Sequence, residues 1–352
     1  MAYYVPKIYE ALPTGEYVRA VSENGSLQCR FTSLQEMHGG DAGGAKARRF
    51  QISLAQRNGV TVVRGTYYLE AAKRIIPGAA ILKVGKEDVL GRSSSEISMI
   101  LGKAKPPGVE LMVLNPGEEQ VVSVKLPYGG PGEGRKPVLR TLAGKGGALV
   151  GYVRIPELTS KEDAAGLAGK IKGMLEKGVS GLVLDLRDCR RWSSLVAPDI
   201  AGLFVPTGTP LFITRDRLDT GGPESRTTVA KAAGTPVSLP VVILINEGTS
   251  SETEVTAAGL IDAGAAVAIG KRTFGDGLIY RLRRVPGIGG YLRHPVGEYL
   301  RAKGAPIFPT GIGPHKEIDA ERAKLYFFSD DASQDAQLQA ALAHLASEQR
   351  KQ

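Results

Sequence analysis

Residues 240–277, PVVILINEGTSSETEVTAAGLIDAGAAVAIGKRTFGDG, constrain the fold more than any other stretch of the chain. Val241, Val242, Ile243, Leu244 and Ile245 form an apolar, mostly β-branched run without polar alternation, the pattern of a strand covered on both faces. Asn246-Glu247-Gly248 breaks the run as a turn, and Thr249-Ser250-Ser251 opens a helical segment over residues 252–262. A second apolar run follows, then the glycine loop Thr273-Phe274-Gly275-Asp276-Gly277. A hydroxyl at the strand-to-helix junction lies where helix amides point their positive ends, so an oxyanion formed beside it would be stabilised. Ser251 is therefore a candidate nucleophile. The same residues carry a plainer reading, because Thr249-x-x-Glu252 and Ser251-x-x-Glu254 both fit a capping box in which the hydroxyl only satisfies an orphan N–H. Taken alone, the stretch favours the cap.

With 352 residues, 42% of them hydrophobic, the chain has material for two domains or three small ones and reads as a soluble globular protein. Its apolar runs fall far short of a bilayer span, and the start, Met1-Ala2-Tyr3-Tyr4-Val5-Pro6, lacks the basic and apolar regions of a signal peptide. The formal charge of +9 raises nucleic acid as a partner, but the basic residues are scattered and aromatics make up only 6%. Nucleic acid is set aside on that ground. The densest basic clusters, residues 187–191 and 281–284, read as solvated surface. Cys29 and Cys189 are too few for a disulfide scaffold or a cysteine metal site. No metal cluster or phosphate-binding glycine fingerprint calls for a cofactor.

Along the chain, residues 17–21 and 27–31 alternate like short strands, and a glycine-rich joint follows at 39–44. Residues 48–127 then give a strand pair, a short helix over 68–72, a strand over 80–84, a helix over 93–101, and closing strands over 109–114 and 121–126. Through VTVVRGTYYLEAAKRIIPGAAILKVGKEDVLGRSSSEISMILGKAKPPGVELMVL, this region resembles a PDZ domain, which binds peptide C-termini by strand addition. The resemblance departs at Arg49-Phe50-Gln51-Ile52, which stands where such domains carry a glycine-rich carboxylate-binding loop. A PDZ fold serving only as scaffold fits these residues equally. Residues 128–148 are rich in Gly and Pro and read as a linker holding one strand, Val138-Leu139-Arg140. Strands over 151–155, 181–187, 210–214 and 241–245 alternate with helices over 160–177, 196–204 and 252–262, which predicts a mostly parallel, layered α/β core over 149–320. A polar helix closes the chain within 321–352, able to dock on the core or on a partner.

GYVRI, GLVLDLR, LFVPTGTP, PVVILINEGTSSETEV, AVAIGKRTFGDG and TGIGPHKEI follow one another as in the carboxyl-terminal processing (tail-specific) serine peptidases, which the chain resembles over residues 48–318. The resemblance implies a PDZ domain joined to an α/β peptidase core, and a serine–lysine dyad in which a lysine of lowered pKa is the general base. TSSETE places Ser251 at the serine's position. The family's lysine lies in a TFGKG loop, and TFGDG puts Asp276 there, with Tyr280 where an orienting glutamine is expected. Asp276 also reads as a plain turn residue between glycines. An ordinary aspartate is about six pKa units weaker as a base than lysine. Lys271 and Arg272 are close in sequence but shifted along the strand end. The family's Asn-Pro-Gly-Gly oxyanion loop is replaced by Asp188, Cys189, Arg190, Arg191 and Trp192, and each lost oxyanion donor costs roughly 3 kcal/mol of barrier. Among the histidines His38, His294, His315 and His344, His315 lies in the GIGPHKEI segment and is a rescue candidate.

Two readings stand. One is a carboxyl-terminal processing serine peptidase whose activity is weak or lost for want of its lysine. The other is a non-catalytic protein that binds peptides through its PDZ-like domain, or assembles with itself or with active relatives. Both expect a polypeptide ligand. By resemblance alone the location is extracytoplasmic, in a bacterial periplasm or cell envelope, or the lumen of plastid thylakoids.

Overall fold

The computed structural model describes residues 17–22, 25–33, 50, 52–57, 60–66, 68–128, 137–158, 160–193, 195–218, 222–233, 236–285 and 290–349. The joint at 39–44, His38 and residues 129–136 of the expected linker lie outside them. Strands β1 (Tyr17–Ser22) and β2 (Gly25–Ser33) form a hairpin. Next come β3 (Ile52–Arg57), β4 (Val60–Thr66), helix α1 (Leu69–Ala72), β5 (Ala79–Val84), β6 (Glu87–Asp88), α2 (Ser94–Lys103), β7 (Gly108–Leu114) and β8 (Val121–Pro127). They make one antiparallel sheet in the order β3-β4-β5-β7-β8, with β6 beside β5. Val63, Ile81, Ile97 and Leu111 are buried in its core. Ser93 and Glu96 close a capping box at the start of α2, the Glu96 amide on the Ser93 hydroxyl at 3.0 Å and the Ser93 amide on the Glu96 carboxylate at 2.8 Å.

The larger unit runs β9 (Val138–Ala143), β10 (Leu149–Arg154), β11 (Glu157–Leu158), α3 (Lys161–Leu175), β12 (Leu182–Asp185), β13 (Arg191–Trp192), α4 (Ala197–Ala201), β14 (Pro210–Leu218) and β15 (Gly222–Val229). It continues through β16 (Val241–Ile245), α5 (Glu252–Asp262), β17 (Val267–Gly270), β18 (Leu278–Val285), β19 (Gly290–Arg301), β20 (Lys316–Glu317), α6 (Tyr326–Ser329) and α7 (Ala336–Gln349). The central sheet has the order β20-β17-β16-β12-β10-β9, parallel throughout except at the edge strand β9. β16 explains its unbroken apolar run. Ile243 and Ile245 face a core shared with α3, α4 and α5, while Val242 and Leu244 face Leu338, Ala341 and Leu345 of α7. Both faces are covered, so neither series can be polar. The result is a mixed α/β fold of more than one domain.

Four expectations change. The strand at 210–214 does not belong to the parallel sheet. As β14 it joins an antiparallel sheet of order β1-β2-β19-β14-β15, with β18 on β19, and α5 packs over it. The helix expected over 196–204 ends after Ala201, and the following Gly202 passes so close to Lys231 that a Cβ would lie 1.9 Å from its carbonyl oxygen. The expected linker strand is longer than three residues and forms the antiparallel edge of the central sheet.

The basic cluster at 187–191 is not solvated surface. Arg187 and Arg190 are buried. The Arg187 guanidinium bonds both oxygens of Asp185 and of Asp335, and Tyr152 donates to Asp185 at 2.7 Å. Burial alone would lower the Arg187 pKa, but the two carboxylates outweigh it and hold the guanidinium charged. Asp335 also accepts the Tyr326 and Leu338 amides, so this buried cluster fastens α6 and α7 to the end of β12. The closing helix docks on the core, against the central sheet. The other basic cluster lies on β18.

Candidate active site

The turn that ends β16 is stitched to the turn that ends β12. Asn246 accepts the Asp188 and Gly248 amides on its Oδ1 at 2.9 and 3.0 Å, and Thr249 donates to the Leu186 carbonyl at 2.8 Å. The Ser250 amide donates to the Cys189 carbonyl at 3.0 Å. Gly248 is required here, since a Cβ would stand 2.1 Å from Asp188 Oδ1. Thr249 is spent on this stitching and does not cap the helix. The chain then passes through Ser251 with φ 61° and ψ −135°, a positive φ that is uncommon for a residue bearing a Cβ and costs on the order of 1–3 kcal/mol. Such strain persists only where surrounding contacts impose it.

Glu254, fully buried, imposes it. Its Oε2 accepts the Ser251 amide at 2.9 Å, the return half of the expected capping box. The same carboxylate accepts the Thr273 hydroxyl at 2.5 Å and the Gly275 and Asp276 amides at 2.8 Å each. One side chain thus fixes the start of α5 against the loop at 273–276. Burial pushes its pKa up to about 7 despite those four donors. Sequence reasoning saw Glu254 only as a cap; the signal for more was an acid placed on an otherwise apolar, buried helix face.

The Ser251 hydroxyl is half-buried and donates to Glu252 Oε2 at 2.6 Å. Glu252 Oε1 in turn accepts from the Tyr299 hydroxyl at 3.2 Å. Among the described residues, no amine or imidazole hydrogen-bonds to Ser251. Asp276 stands on the same loop as expected, and its carboxylate is paired with the Arg64 guanidinium at 2.6 Å. Arg64, carried on β4 of the smaller sheet, also donates from Nε to Ser250 Oγ at 3.1 Å. It bridges Ser250, the residue before Ser251, and Asp276. No local pattern could have signalled this, because the partners lie 186 residues apart.

The other candidates lie elsewhere. Tyr280 is on β18, paired with Pro295 after a bulge. Lys271 is held by Glu317 and Asp319. His315 accepts the Ala268 amide on Nδ1 at 2.9 Å, and His344 lies on α7. His294 is on β19. Trp192 is buried in the core. Asp188 adopts φ 57°, and Arg322 donates to it at 2.6 Å while also bonding the Ala72 carbonyl. Burial works to raise the Asp188 pKa, but Arg322 and Arg190 outweigh it and hold the carboxyl below its usual range. Arg190 donates to the Thr66 carbonyl at 3.0 Å. Three arginines, Arg64, Arg190 and Arg322, therefore join the smaller sheet to the loops around Ser251. Beside them a cavity of about 600 Å³ opens between Ile76-Pro77-Gly78 and Glu247, Thr273 and Phe274. Among the described residues there is no group of His, Cys, Asp and Glu able to hold a metal ion, and no helix is long and apolar enough to cross a membrane.

Residues 149–318 match the model of peptidase family S41. Carboxyl-terminal-processing peptidase 1, chloroplastic, from Arabidopsis thaliana is 31% identical over 244 residues, 67% of this chain and 47% of its own length. The carboxy-terminal processing protease CtpA of Bacillus subtilis is 28% identical over 263 residues, 73% of this chain and 53% of its own. The chain thus spans about half the length of these relatives. In fold it is similar to the photosystem II D1 C-terminal processing protease, with a TM-score of 0.71 at 23% identity over 83% of this chain and 78% of that one. Through residues 149–318, the chain belongs to the peptidase S41 family of carboxyl-terminal processing proteases.

Proposed function

We propose that this protein handles polypeptides as carboxyl-terminal processing peptidases do, with Ser251 in the nucleophile's place, but that its peptide hydrolysis is weak or lost because Asp276 occupies the position of the lysine base. On this reading residues 48–127 form a PDZ-like domain and residues 149–320 the peptidase-like core. Residues 1–47, 128–148 and 321–352 are the N-terminal segment, the linker and the C-terminal helix, and Tyr280 replaces the orienting glutamine. The observation that carries the reading is the Arg64–Asp276 pair at 2.6 Å. That pair engages the Asp276 carboxylate with a guanidinium, and no hydrogen bond joins it to Ser251 among the described residues. A second reading, a peptide-binding or assembly protein with no catalysis, draws support from the same arginine, which ties the smaller sheet directly to Ser250 and Asp276.

The test is to mix the protein with an unfolded polypeptide bearing a free C-terminus and to measure binding and cleavage together. Saturable binding with no product above the Ser251→Ala background is expected. Rapid cleavage that Ser251→Ala abolishes would overturn the loss of hydrolysis, and absence of any binding would overturn polypeptide handling.

A further inference from the structure

The lysine position holds an acid already engaged elsewhere, yet Ser251 is not without a proton acceptor. We propose that Glu252 is the general base for Ser251, and that the pair carries out slow acyl transfer from activated esters. This rests on the reading of Ser251 as nucleophile. The Ser251 O–H points at Glu252 Oε2 across 2.6 Å, inside the reach required of a catalytic base and in the range of a charge-assisted bond. The other oxygen of Glu252 is fixed by the Tyr299 hydroxyl at 3.2 Å. Tyr299 is itself oriented by an edge-on contact with Phe212, ring centroids 5.7 Å apart at 81°. Glu252 is the first residue of α5. Base and nucleophile are thus both held, one by a tyrosine and one by the Glu254 bond to its amide.

The chemistry balances within this pair. Ser251 Oγ attacks the ester carbonyl carbon as its proton passes to Glu252 Oε2, giving a tetrahedral oxyanion. Collapse of that intermediate breaks the bond to the leaving oxygen and leaves an acyl ester on Ser251, while Glu252 returns its proton to the departing alcohol. Water then adds to the acyl ester, losing its proton to Glu252; expulsion of Ser251 Oγ releases the acid and takes that proton back. An aryl oxide can also depart as the anion, in which case Glu252 gives its proton to water before the second step. A peptide amine is a far poorer leaving group than an aryl oxide, so activated esters of acidic alcohols are the substrate class that a carboxylate base can serve.

p-Nitrophenyl acetate is the probe, read as p-nitrophenol released and as an acetyl adduct on Ser251 by mass spectrometry, with the Ser251→Ala rate subtracted. The wild type is expected to form the adduct and turn it over slowly. Glu252→Gln should lose about 100-fold in the Ser251-dependent rate while keeping its circular dichroism spectrum. Glu252→Ala should recover at least about tenfold when formate is added, a rescue that a purely structural carboxylate does not give. If Glu252→Gln fails to fold, Tyr299→Phe, which leaves the carboxylate in place, should still lower the rate several-fold. A Glu252→Gln rate equal to wild type, a folded Glu252→Ala that formate leaves unchanged, or a wild type without any Ser251-dependent ester reaction overturns the assignment. Rapid peptide cleavage by the wild type would instead sink the loss of hydrolysis proposed above and leave this assignment standing.

Discussion

Asp276→Lys supplies the amine that the proposed function finds missing, and the structure sets what that amine would meet. The Arg64 guanidinium stands 2.6 Å from the Asp276 carboxylate. An ammonium reaching the same place would lie about 4 Å from that cation, a repulsion of about 4 kcal/mol at an effective dielectric of about 20. One pKa unit corresponds to about 1.4 kcal/mol, so the new lysine would fall by at most about three units, and by less once screening is counted. A fall in that direction raises the fraction of neutral amine, as a lysine base requires. The same repulsion, added to the lost ion pair, lowers stability. Because the side chains of Arg64 and Asp276 are 20% and 25% exposed, part of the repulsion is screened and part relaxes, leaving an expected loss of about 2–3 kcal/mol by urea denaturation. Cleavage of an unfolded polypeptide should rise by at least about 100-fold over wild type and vanish in the Asp276→Lys, Ser251→Ala double variant. A folded Asp276→Lys protein that neither cleaves peptides nor acylates faster than wild type would refute the claim that a lysine amine is what the site lacks for peptide hydrolysis.

Other parts of the account give their own expectations. Glu254, raised from 4.5 to about 7 by burial, stabilises the fold most when protonated; that contribution is complete below about pH 4.5 and lost as pH rises through 7, an amplitude of about 3 kcal/mol. Urea midpoints between pH 5 and pH 8.5 should therefore fall in the wild type, and Glu254→Gln should remove that fall while lowering stability at every pH, since its NH₂ cannot accept the Ser251 and Asp276 amides. Arg187→Met, which leaves Asp185 and Asp335 buried and unpaired, should cost about 3–5 kcal/mol in the same assay and expose the 326–349 segment to limited proteolysis. Unchanged stability would show that the network does not fasten the C-terminal helices.

Local patterns were enough to read the strand at 241–245, the helix that follows it and the order of elements in the smaller sheet, because periodicity is a short-range property. The assignment of β14 to an antiparallel sheet was not legible. Its partner β19 lies more than eighty residues further along the chain, and nothing in Pro210-Leu211-Phe212-Ile213-Thr214 tells a strand in one sheet from a strand in the other. Arg187 misled for a related reason. An arginine buried between two carboxylates looks like an exposed one until Asp335, 148 residues away, is brought beside it. At the site, the sequence singled out Ser251 and Asp276 but not the side chains that they contact. Arg64 comes from a separate sheet, and Glu252 was read as half of a cap for Thr249, whose hydroxyl is turned instead to Leu186.

The central claim is that Ser251 sits in an intact fold without the amine that peptide hydrolysis needs. It is tested most directly by counting product molecules per protein chain, by mass spectrometry, when wild type and Ser251→Ala are incubated with excess unfolded polypeptide. The account predicts indistinguishable counts, well under one per chain; many turnovers in the wild type and none in Ser251→Ala would contradict it.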